Sequence, residues 1–79
     1  MVEVKFFALT RELVGEDAIE VALDSGTVES LRQILCARGE PWRQALSHTL
    51  VAVNHQMVAE SHQFQAGDEV AFFPPVTGG

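Results

Sequence analysis

Glu69-Val70-Ala71-Phe72-Phe73-Pro74-Pro75 reads as a strand with a hard stop. Val70 and Phe72 fall on one face of an extended chain, and Ala71 and Phe73 on the other. Pro74 and Pro75 cannot donate a ladder hydrogen bond, so pairing ends at Phe73. Ala66-Gly67-Asp68 supplies the turn in front. A counterpart stands at the other end of the chain, in residues 2–8. There Val2, Val4, Phe6 and Ala8 share one face, and Glu3, Lys5 and Phe7 the other. Both strands are strongly apolar. That points to a sheet with the first and last strands side by side at its centre.

The remaining segments fit around that pair. Residues 9–15 carry Leu9, Leu13 and Val14 and end at Gly15, which predicts one or two helical turns. Residues 17–23 alternate again, with Ile19, Val21 and Leu23 inward, and make a hairpin-like partner for the first strand. Ser25-Gly26-Thr27 reads as a turn ending in an N-cap. Val28, Leu31, Ile34, Leu35 and Arg38 then follow helical spacing, with Glu29 in the first turn and Gly39 as the stop. Pro41 opens a second short helix to about Ser47, with Trp42, Ala45 and Leu46 inward. Leu50–Val53 is a strand, Asn54-His55 a turn, and residues 56–58 the return. The order predicts an α+β fold, a mixed sheet with one main helix packed across it. This is the β-grasp arrangement, with a domain over residues 1–73 and a flexible tail over residues 74–79.

Composition narrows the function. Seventy-nine residues make one domain with little room for an enclosed catalytic cavity, so a self-contained enzyme is not expected. Eleven acidic residues against five basic ones give a net charge of −6. That argues against nucleic acid and anionic membrane as partners and suits a basic protein surface. The one cysteine, Cys36, can form neither an internal disulfide nor a four-ligand metal site. The absence of any staple fits a reducing cytoplasm. No signal peptide and no apolar run of membrane-spanning length is visible. Glycine-rich phosphate loops, HExxH, CxxC and GxSxG are all absent. His48, His55 and His62 fall in three different elements and read as surface or turn residues. Cys36 reads as a boundary residue at the helix end that does not activate a thiol. Asp68 and Glu69 read as a turn residue and a strand-edge charge.

The chemistry is at the far end of the chain. The prolines favour an extended exit, and Pro74 to Gly79 reach up to ~20 Å. Gly78 and Gly79 carry no Cβ, so a narrow channel admits them in almost any backbone conformation. The reactive group is then the α-carboxylate of Gly79. A carboxylate is a poor electrophile, and ATP would activate it as an acyl adenylate. A sulfur nucleophile would then displace AMP and leave a thiocarboxylate.

Residues 68–79, Asp-Glu-Val-Ala-Phe-Phe-Pro-Pro-Val-Thr-Gly-Gly, resemble the end of molybdopterin synthase small subunits. Val4-Lys5-Phe6-Phe7-Ala8, Arg11-Glu12-Leu13-Val14-Gly15 and Ala52-Val53-Asn54 resemble them too. The likeness is loose only over residues 37–47. It implies a ubiquitin-like β-grasp sulfur carrier of molybdenum cofactor synthesis, itself non-catalytic. An E1-like adenylyltransferase would use ATP and magnesium to adenylate Gly79, and a sulfur donor enzyme would complete the thiocarboxylate. The tail would enter a large subunit, two of each forming a heterotetramer, and sulfur would pass to cyclic pyranopterin monophosphate. The large subunit would supply the catalytic lysines; this chain has only Lys5. No metal or cofactor is expected on the chain itself.

Strand alternation adds a docking surface. Phe7 and Phe73 share the outward face, with Met57 as a third member. The tail residues Pro74, Pro75, Val76 and Thr77 complete the expected partner contacts, and Gly78 the passage to Gly79. Two other readings of the tail stay open: a thiamine-pathway sulfur carrier, and a ubiquitin-like modifier or binding module. A β-grasp ferredoxin is excluded, because its cluster needs four cysteines.

Overall fold

A computed structural model describes residues 1–75. In chain order the elements are β1 (Val2–Phe6), α1 (Ala8–Val14), β2 (Ala18–Val21), β3 (Ser25–Thr27), α2 (Val28–Cys36) and α3 (Trp42–Leu46). Then come β4 (Leu50–Val53), β5 (Gln56–Met57), β6 (Gln63–Gln65) and β7 (Glu69–Phe73). Five strands form one mixed sheet in the order β2-β1-β7-β4-β5. β1 and β7 are parallel, with Val4 opposite Val70 and Phe6 opposite Phe72. β7 is the middle strand, as its apolar sequence predicts.

The inward faces of these strands make the core. Val2, Val4, Phe6, Val51, Val53, Val70 and Phe72 are all buried beneath the helices. α2 contributes Val28, Leu31 and Leu35, and α3 contributes Ala45 and Leu46. Phe6 stacks on Phe72 with ring centroids 6.4 Å apart and meets Trp42 edge-on at 5.6 Å. α2 starts at a reciprocal capping box, in which Thr27 Oγ1 accepts from the Ser30 amide and Ser30 Oγ accepts from the Thr27 amide. Arg32 ties the layers together. Its Nε and Nη2 donate to both carboxylate oxygens of Glu60 at 2.9 and 2.8 Å. Nη1 donates to Thr49 Oγ1 and to the Leu46 carbonyl, and the guanidinium lies 5.1 Å from the Phe72 ring centre. The residue is nearly enclosed, and the bidentate carboxylate keeps its charge matched.

The structure departs from the sequence reading at several points, and β2 is shorter than expected, Ala18–Val21 without Leu23. Ser25-Gly26-Thr27 is a strand as well as a cap, paired antiparallel with Gln63–Gln65 in a second small sheet. A Cβ on Gly26 would meet the Phe64 ring at 3.1 Å, so a larger residue there would push on the ring that closes the core. α2 stops at Cys36, and Ile34 lies 45% exposed on its outer side. Residue 58 lies outside β5, which is two residues long. Ala8 does not continue the first strand. It takes φ 53° and starts α1, and its side chain is exposed. The left-handed turn redirects the chain between Phe7 and Leu9.

Candidate functional site

The end of β7 is where the core stops and the tail begins. Phe7 follows β1 and remains in register, its amide donating to the Phe72 carbonyl at 3.2 Å. Its backbone is extended, so its side chain falls opposite to Phe6, 45% exposed on the uncovered face of the sheet. Phe73 shares that face and is half-buried. Leu50 pairs with Phe73 across β4, and Met57 pairs with Ala52, so both belong to the same face. Leu50 is 38% and Met57 60% exposed. The expected trio of Phe7, Phe73 and Met57 is thus on one face, with Leu50 between Phe73 and Met57. Leu50 is the member that the sequence reading missed; its strand is apolar throughout, so no alternation marked it, and only the pairing with Phe73 places it here.

Ala71 lies on this face, as the alternation predicts. Ala71 points outward, yet it is buried, because its methyl group sits between Lys5 and Ala52 on the neighbouring strands. The face also changes character along its length. Glu20, Glu3 and Glu69 lie side by side across three strands at the end away from the tail. Lys5 Nζ reaches Glu69 at 3.2 Å, and His55 Nε2 lies 3.7 Å from the other oxygen. Lys5 is therefore beside β7 in space, although far from it in sequence.

The prolines are not thrown clear of the domain. Pro74 is half-buried, and both prolines line a cleft of about 120 Å³ on the helical side. Leu9, Thr10 and Leu13 of α1 form one wall, and Gln44, Ala45, His48 and Thr49 the other. Pro74 packs its ring against this apolar wall, while Pro75 stays exposed at its rim. The tail root is thus flanked by apolar surface on both sides. Val76, Thr77, Gly78 and Gly79 lie outside the described residues.

The other polar residues hold structure. Asp68 accepts from the Gln65 amide at 2.9 Å and from Asn54 Nδ2 at 3.1 Å, which pins the turn before β7. The Gln65 amide, then the Asn54 side chain, lower its pKa below the ordinary 3.8. His48 borders the cleft, His55 is in the β4–β5 turn, and His62 is in the loop before β6. Among the described residues no three metal-ligating side chains gather. Cys36 is half-buried against the core. No helix among them is long and apolar enough to cross a membrane.

Residues 4–79 match the ThiS family. The chain belongs to that family. This ThiS-family chain is 56% identical to the molybdopterin synthase sulfur carrier subunit of Escherichia coli strain K12, over the full length of both. The small archaeal modifier protein 1 of Haloferax volcanii superposes with a TM-score of 0.75 at 30% identity, covering 95% of this chain and 97% of that one. A complex of subunits 1 and 2 of the molybdopterin-converting factor from Helicobacter pylori 26695 contains a match with a TM-score of 0.73 at 26% identity. It covers 99% of this chain and 97% of that one. The ubiquitin-like β-grasp architecture and the resemblance to molybdopterin synthase small subunits both stand on these likenesses.

Proposed function

We propose that this ThiS-family chain is the sulfur-carrier subunit of molybdopterin synthase. The observation that carries the reading is the 56% identity to such a subunit along the whole chain. The ending Phe-Pro-Pro-Val-Thr-Gly-Gly at residues 73–79, placed directly after the central strand, supports it. An E1-like enzyme joins the Gly79 carboxylate to AMP, releasing pyrophosphate from magnesium-bound ATP. A sulfur donor then displaces AMP, and the thiocarboxylate gives its sulfur to cyclic pyranopterin monophosphate. The chain binds no cofactor of its own and works in the cytoplasm.

The apolar face of Phe7, Leu50, Phe73 and Met57 docks the large subunit while Pro74 to Gly78 lead Gly79 into its catalytic pocket. The Helicobacter pylori complex of two converting-factor subunits supports a large-subunit partner. Two chains of each kind form the working assembly.

Intact mass after incubation with ATP, the activating enzyme and a sulfur source tests this. The expected gain is one oxygen exchanged for sulfur, absent from a C-terminally extended chain. An unchanged mass with a competent enzyme would overturn it. The likeness to an archaeal modifier protein favours a second use of the same tail, in amide bonds to lysines. A ladder of heavier conjugates in cells would support that use. A thiamine-pathway carrier is the weaker reading, because the double-proline ending matches the molybdopterin branch.

A further inference from the structure

We propose that the cleft between α1 and α3 is a second docking point, filled by one apolar side chain from the large subunit beside the mouth of its tail channel. The proposal rests on the functional reading above. Pro75 lines this cleft, and four residues follow it. Four extended residues span at most about 14 Å. A catalytic pocket acting on Gly79 must therefore open within that distance of Pro75. The protein wall around so short a channel has to press against whatever flanks Pro75.

One flank is the Phe7–Phe73 face. The other is the cleft, where the Leu9 side chain is left 56% exposed although Leu13 and Ala45 beside it are half-buried and buried. An unmatched leucine above a cleft of about 120 Å³ suits a single bulky aliphatic or aromatic side chain. Thr10, Gln44, His48 and Thr49 are the cleft's polar members, and no lysine, arginine, aspartate or glutamate lines it among the described residues. The φ of 53° at Ala8 links the two flanks. It sends Phe7 to the sheet face and Leu9 to the cleft from adjacent turns of one chain. The large subunit would thus hold the tail root from both sides.

The test is calorimetric titration of the full-length chain into the large subunit. The unsubstituted chain is compared with Leu9→Asp, Leu9→Met and Ile34→Asp, the last an exposed apolar site on α2. Leu9→Asp is expected to weaken binding by about tenfold or more, while Leu9→Met stays within about twofold. Ile34→Asp is expected to bind like the unsubstituted chain. Circular dichroism confirms that each variant is folded. In a second measurement, Leu9→Cys in a Cys36→Ser background is alkylated with iodoacetamide. Protection is expected in the complex only. Unchanged affinity of Leu9→Asp, or equal alkylation free and bound, would overturn the second docking point and leave the sulfur-carrier reading intact. Failure of the unsubstituted chain to bind, together with no mass gain at Gly79, would remove both.

Discussion

Phe6-Phe7 and Phe72-Phe73 end neighbouring parallel strands, and the sheet splits each pair between its two faces. Phe6 and Phe72 are buried and stacked beneath the helices. Phe7 is exposed and Phe73 half-buried on a face that no other layer of the described residues covers. The four rings share a chemistry and a location along the strands. Only the period-2 alternation separates them. One face of the sheet therefore supplies stability and the other supplies a surface to offer, and the division runs between adjacent residues.

Substitution at Phe72 and Phe73 gives the sharpest contrast. Phe72→Ala removes a ring enclosed by Phe6 and Arg32 and should cost about 3–5 kcal/mol. That is a large part of the about 5–15 kcal/mol that holds a domain of this kind folded. Urea denaturation measures it, and a loss below about 1 kcal/mol would break the division of faces. Phe73→Asp should leave the circular dichroism spectrum unchanged while weakening large-subunit binding by about tenfold or more. Unfolding of that variant would show Phe73 to be core.

Two smaller tests sharpen the boundary between the faces. Ala8 holds φ 53°, which disfavours a residue with a Cβ. Ala8→Gly should gain about 0.5–1 kcal/mol in thermal or urea unfolding. A loss instead would mean that helix entropy at the start of α1 outweighs the relief. Asp68 has the smallest expected effect. Its folded pKa is lowered, so its contribution is present above the unfolded value and is lost as pH falls through the folded one. Asp68→Asn keeps only one of the two acceptor oxygens, so it should lower stability modestly at neutral pH and flatten the fall of the urea midpoint below about pH 4. An unaltered acid limb would show that other carboxylates carry it.

β1 was legible in the sequence because it alternates apolar and polar residues, β7 because its apolar run is closed by two prolines, and α2 because capping and spacing agree. Asn54-His55 was legible as a turn, and both residues take positive φ there, 50° and 71°. The β3–β6 pair was not legible. Three residues of Ser-Gly-Thr show no alternation, and their partner lies almost forty positions away. Ile34 kept helical spacing but fell at the edge of the apolar stripe, where a short helix leaves it uncovered. On the exposed face, Met57 had no alternation signal of its own, whereas Phe7 and Phe73 followed from alternation once the first and last strands were set side by side. The cleft did not, since it needs α1, α3 and the two prolines to converge, and no local pattern encodes that meeting.

The parallel pairing of β1 with β7 has a practical reach. Both strands run the same way, so Met1 sits at the start of β7, where its carbonyl accepts from the Gly67 amide at 2.9 Å. The tail root is a strand's length away, about 16 Å. The Met1 amino group is exposed and lies 3.7 Å from the Asp24 carboxylate. A fluorophore, a solid support or a whole second protein fused ahead of Met1 would stand behind the domain and leave its working end clear. The fold in effect provides a handle at one pole and a delivery point at the other.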